Sequence, residues 1–241
     1  MTAFNRRAVQ ATYRKELRDF RRNRSLVVGM SIIPIIFSVQ PLVQVFTLTA
    51  AASIPLRHEH VLLYMLAIPA LTPSFIAAYS VVGERQQGTL EPVLTTPIRS
   101  RELLLGKAFA TLVPSVGVAY LVFAIFVALV EVFAQRSVAD ALIRPSDLLA
   151  QLVFTPLLAG WSIWIAVLIS ARTSDVRVAQ QFATLASLPS IALTVIISLN
   201  VITPSLRTAV IAGIALLALN RVGWRLASAS FDRERLITGT K

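Results

Sequence analysis

Five stretches of this chain carry no charged residue: 25–56, 61–83, 108–130, 148–171 and 178–206, which run to 32, 23, 23, 24 and 29 residues. A helix needs roughly 20 apolar residues to cross the hydrocarbon core of a bilayer. Each stretch therefore holds one span. A sixth candidate, 206–227, is weaker, because only 13 uncharged residues separate Arg207 from Arg221. Those two arginines fall at its edges, where long side chains reach the interface. The expected fold is all-α and polytopic. Its six transmembrane helices fall at about 25–48, 61–83, 103–133, 148–171, 177–200 and 206–227. Composition agrees: 56% of residues are hydrophobic and 15% charged, with a mean hydropathy of +0.71. That excludes a soluble enzyme and a disordered chain.

The net charge of +11 reflects topology and calls for no nucleic acid. Nineteen of the 23 Lys and Arg residues lie in the N-terminal segment, the second and fourth loops and the C-terminal tail, against four in the other loops. The positive-inside rule places the nineteen in the cytoplasm, so both termini are expected there, in the cell (inner or plasma) membrane. A cleaved signal peptide is disfavoured, because the basic segment is 24 residues long and the apolar run exceeds 7–15 residues. Within 1–24, Val9, Tyr13, Leu17 and Phe20 share one helical face. This predicts an amphipathic helix on the inner surface, its arginines toward anionic lipid; the bland alternative is a solvated basic tail.

Several chemistries are missing. There is no cysteine, and both histidines, His58 and His60, fall in one short outer loop. A two-histidine cluster is a weak metal hint, since zinc sites want three or four ligands. No Asp or Glu occupies the middle of a span, so an ion-coupling relay of the usual kind is absent. Gly106-Lys107 does not complete a phosphate loop, because Arg101 stands five positions before Gly106 and Ala108 follows the lysine. No catalytic residue, metal ligand or cofactor is expected in this chain. Prolines 34, 41, 69, 73, 114, 156 and 189 fall inside expected spans, as hinges or as static kinks. The third helix is read from 101 to about 133, about 50 Å long, with Ser100 as its N-cap. The loop 132–147 is the longest on the outer side.

The second basic-side loop, 83–107, has a clear local grammar. Gly88 suits a left-handed helix cap, Thr89 an N-cap, and Pro97 ends what lies between. A short helix, about 89–96, is left with Leu90, Val93 and Leu94 on one face. Such a face wants a partner, unless it rests on its own bundle.

Glu84, Gly88-Thr89-Leu90-Glu91, Leu94, Pro97, Arg101-Glu102-Leu103 and Leu105-Gly106-Lys107 together resemble the signature of type-2 ABC exporter permeases. In that family the segment is a coupling helix seated in a groove of a separate ATP-binding subunit, which holds ATP and Mg. The resemblance implies a permease working as a homodimer or heterodimer. Its N-terminal elbow helix would be 1–24, its transmembrane domain 25–228 and its cytoplasmic tail 229–241. It also implies an ATPase contact through Glu84, Arg85, Gly88, Thr89, Leu90, Glu91, Val93, Leu94 and Pro97. The family's re-entrant helices between spans five and six have no room in 200–207, unless span five breaks at Pro189. A membrane assembly or receptor subunit without an ATPase partner is the alternative. The substrate is not encoded legibly.

Overall fold

The computed structural model describes residues 5–47, 60–88, 98–198, 201 and 205–230. Among them all regular structure is helical. An N-terminal helix, Arg6–Arg22, precedes six helices long and apolar enough to cross a membrane. Span one is Arg24–Thr47. Span two opens as a 3-10 turn, Val61–Leu66, and continues as Ala67–Gln86. Span three is Ser100–Phe133, span four Pro145–Arg172, span five Val176–Ser198 and span six Leu206–Ser230.

Span two is the centre of the bundle. In its most apolar stretch 83% is buried, against 6% for span six. Span four runs parallel to it and packs along its length. Ser162 Oγ donates to Ala70 O at 2.6 Å and Ser170 Oγ to Ala78 O at 2.6 Å. Small side chains (Ala77, Ala78, Ala166, Ala179, Ala183) and Val81, Val82, Ile163 and Val167 fill the core between spans two, four and five. Small interfacial residues let helix backbones approach where lipid offers no hydrophobic drive.

Span six is held on span four by one amide. Asn220 Nδ2 donates to Leu157 O at 2.9 Å and to Leu216 O in its own helix at 2.8 Å, while its Oδ1 accepts from Trp164 Nε1 at 3.2 Å. Trp164 and Trp224 meet edge to face, with centroids 5.4 Å apart.

Prolines 34, 41, 73, 114, 156 and 189 all lie inside helices. Pro156 removes the N–H that would bond Leu152 O, four residues back. Tyr120 of span three repairs this, its hydroxyl donating to Leu152 O at 2.7 Å. A neighbouring helix thus re-satisfies the freed carbonyl, as an apolar medium requires. Span five runs unbroken across Pro189, so the break that re-entrant helices would need is not made there.

Two expectations need correcting. The loop 132–147 contains a short helix, Arg136–Leu142, which buries Val138, Ala139, Ala141 and Leu142 against Leu62, Met65, Phe126 and Val130. Span three also starts one residue early. Arg99 is its N-cap and Ser100 its first helical residue, because Glu102 Oε2 reaches back to accept from Arg99 N at 3.2 Å. At the opposite side from the N-terminal helix, His60 Nδ1 meets Asp147 Oδ1 at 2.7 Å, so this histidine joins spans two and four. His58 lies outside the described residues.

Candidate coupling site at the root of spans two and three

The helix of span two ends at Gln86, and Gly88 follows with φ 67°. Gln87 N donates to Gly83 O at 3.1 Å. The glycine occupies the left-handed position where a Cβ would be strained. Thr89, Leu90, Glu91, Val93, Leu94 and Pro97 lie outside the described residues. Arg85 sits in the last turn of span two. The site is therefore the frame on which the segment 89–97 is mounted.

A buried lysine organises that frame. Lys107, in the second turn of span three, is 1% exposed. Its Nζ lies 2.8 Å from Glu16 Oε1, 2.8 Å from Glu84 Oε2 and 2.9 Å from Ser80 O. Lys15 pairs with the other oxygen of Glu84 and lies 3.5 Å from Glu16 Oε1 and 3.8 Å from Asp19 Oδ2. One ammonium thus joins three separate elements: the N-terminal helix, the end of span two and the start of span three. Two of its donors bond Glu16 Oε1 and Ser80 O, and Glu84 Oε2 completes the set as an ion pair. A buried charge is tolerated only when paired and hydrogen-bonded in this way.

Gly106 makes the approach possible. A Cβ there would stand 2.5 Å from Thr12 Cβ and 3.1 Å from Val9 O. Glycine lets the N-terminal helix lie directly on span three, and the next residue supplies the cation. A second tie holds the other end. Glu102 Oε1 accepts from Asn5 N at 2.9 Å. Asn5 in turn caps its own helix, its Oδ1 accepting from Arg7 N at 3.1 Å and Ala8 N at 3.4 Å.

Span two also reaches the loop after span four. Gln86 Nε2 donates to Ser174 O at 3.1 Å. Ser170 Oγ accepts from Val82 N at 3.1 Å and Val81 N at 3.3 Å.

Sequence reasoning missed the role of two carboxylates. Glu84, expected at an ATPase contact, is 7% exposed and is taken up inside the chain by Lys107 and Lys15. Glu16, read as part of a polar face, is 4% exposed. The N-terminal helix buries Thr12, Glu16 and Phe20 against the bundle, a stripe next to the face of Val9, Tyr13, Leu17 and Phe20 that is expected to meet the membrane. Phe20 belongs to the core with Leu26, Ile76 and Ala110, while Val9, Tyr13 and Leu17 are half-buried. The ion pairs and the Gly106 contact decide which face docks. The available signal was Gly106-Lys107 together with the acids Glu16 and Glu84.

The family model for the ABC-2 type transporter matches residues 7–212. The chain belongs to the ABC-2 type transporter family. It is a multi-pass membrane permease. A search of curated proteins finds no match. In this ABC-2 permease the matched region holds every member of the Lys107 cluster. Lys107 faces carboxylates of its own chain, an arrangement unlike a lysine cradling nucleotide phosphates.

Proposed function

We propose that this permease is the transmembrane subunit of an ABC exporter. It forms the translocation pathway as a dimer and is driven by separate ATP-binding subunits through the segment 84–107. The observation that carries this reading is the Lys107 cluster. The segment 89–97 is rooted at both ends in one ionic knot that also grips the N-terminal helix. A push on that segment moves spans two and three and the N-terminal helix together, because any one of them leaving alone would strand a buried charge. Leu90, Val93 and Leu94 are the proposed anchors in the ATPase groove, with Arg85 and Glu91 at the polar rim. Burying an aliphatic side chain is worth roughly 1.5–3 kcal/mol, and a few anchors carry most of an interface. Glu84 acts from within, as a positioning residue for the frame.

Two further features support the reading. In the sequence, nineteen of the 23 cationic residues fall in the N-terminal segment, the second and fourth loops and the C-terminal tail, which the positive-inside rule assigns to the cytoplasm, where ATP is. The middle of the bundle is occupied by span two, 83% buried over its apolar window. A pathway formed between two copies accords with that filled centre. ATP and Mg would be bound by the partner subunit, and the isolated chain would not hydrolyse ATP.

The test is pull-down of the tagged chain from native membranes, with identification of any ATP-binding subunit retained. Leu90→Asp and Leu94→Asp are expected to leave the permease folded while reducing ATPase retention or uncoupling hydrolysis from transport. Normal retention together with normal transport in both variants would reject the coupling role. If no ATP-binding protein is retained by the wild type, the alternative of a non-transport membrane subunit is correct.

A further inference from the structure

The N-terminal helix and span three do not close on each other along their whole length. Beside the Gly106 contact lies an open groove of about 310 Å³, lined by Arg6, Val9, Gln10 and Tyr13 on one helix and Phe109 and Val113 on the other. Phe109 and Val113 are 46% and 51% exposed and lie one turn apart on the outward face of span three. They follow Lys107 toward the apolar centre of that span, so the groove runs from Arg6 and Gln10 into the hydrophobic layer. Arg6 is exposed and has no acidic partner among the described residues. The lining is almost wholly apolar, and Arg6 is its one charged residue.

We infer that this groove is a binding site for one anionic phospholipid. The phosphate sits on the Arg6 guanidinium and the Gln10 amide, and an acyl chain runs between Tyr13, Phe109 and Val113. A guanidinium presents paired donors that fit phosphate oxygens bidentately, and the glutamine amide adds a donor one turn on. Charge complementarity selects the anionic lipid over a zwitterionic one. The inference rests on the interfacial placement of the N-terminal helix. It needs neither an ATPase nor transport, so its failure and that of the coupling reading are separable.

The experiment is native mass spectrometry of the full chain, released from mild detergent containing equal phosphatidylglycerol and phosphatidylcholine. A cation near the membrane surface is worth about 1 kcal/mol, or about fivefold. The wild type is expected to retain phosphatidylglycerol about fivefold over phosphatidylcholine. Arg6→Glu and the milder Arg6→Gln should abolish the preference, whereas Arg7→Glu, one residue away and outside the groove, should keep it. Val113→Trp should fill the groove and lower retention of both lipids. Melting temperature and elution volume confirm that each variant is folded. Equal retention of the two lipids by the wild type would overturn the site. So would equal losses in Arg6→Glu and Arg7→Glu, which mark a diffuse basic surface, or unchanged retention in Val113→Trp.

Discussion

Replacing Lys107 by Met removes the cation at the centre of the knot while keeping the length and volume of the side chain. At 2.8 Å and an effective dielectric of about 20, each Lys107–carboxylate attraction is about 6 kcal/mol. Desolvation of the ions, several kcal/mol each, and repulsion between the two carboxylates consume most of that gain. The variant nevertheless keeps the desolvation and loses the attraction. Lys15, with 41% of its side chain exposed, is too well solvated to replace Lys107 inside. Removing one partner of a buried pair costs about 3–5 kcal/mol. The cheapest relief is for the N-terminal helix to leave span three and return Glu16 to water. Arg14, Arg18 and Arg21 already face outward, but only the undocked helix can unfold and present the peptide bonds after them and Lys15 to trypsin. Where opening is fast relative to cleavage, the cutting rate follows the open population. At 1.36 kcal/mol per tenfold, the rate should rise by roughly a hundredfold or more, up to that of the free peptide. The triple variant Lys107→Met, Glu16→Gln, Glu84→Gln removes the stranded charges and should recover most of the protection, since neutral replacement of a whole buried ionic set is often tolerated. The reasoning fails if Lys107→Met is cut no faster than wild type, or if the triple variant is no better protected than the single.

Gly106→Leu is expected to undock the same helix by collision with Thr12, giving trypsin sensitivity with all charges intact; unchanged protection would show that the contact can relax. Tyr120→Phe should lower the melting temperature, with a cost of about 1–3 kcal/mol for the stranded Leu152 carbonyl. In a Pro156→Ala background, where residue 156 regains its N–H, the same change should cost much less, and equal losses in both backgrounds would refute the pairing. Asn220→Leu should loosen span six from span four by about 1.2 kcal/mol, from two interhelical side-chain bonds at the membrane average of about 0.6 each. Quenching of Trp164 and Trp224 fluorescence by a lipid-borne quencher should increase, and an unaltered signal would contradict the role of the amide.

The spans were legible because absence of charge over some 20 residues has few other meanings. Gly88 was legible for a local reason, since a left-handed cap is decided by its own backbone. What failed to show were residues whose meaning lies across the bundle. Lys107, just ahead of an uncharged stretch, reads as the last residue of the loop 83–107, and only the approach of Glu16, 91 positions away, makes it a core residue. Glu16 reads as one more polar member of a basic helix. In the helix Arg136–Leu142, Arg136 and Asp140 obscure the apolar side formed by Val138, Ala139, Ala141 and Leu142. The repair of Pro156 by Tyr120 has no local signature at all, because a hydroxyl in span three cannot announce which carbonyl it will meet.

The two serine bonds between spans two and four share a single sequence offset of 92 residues. A ratchet of one helical turn, about 5.4 Å, would face the two span-two carbonyls with residues four positions along. In one direction these are Leu158 and Ala166, neither of which can donate. In the other, only Ser174 could, and it stands beyond the end of span four at Arg172. Spans two and four are thus pinned at two points like a plank to a beam. A slip by one turn would break both bonds, whereas a tilt of the two helices as one unit would keep them, so a displacement applied at Gln86 would be passed toward His60 and Asp147 as a rotation of the pair.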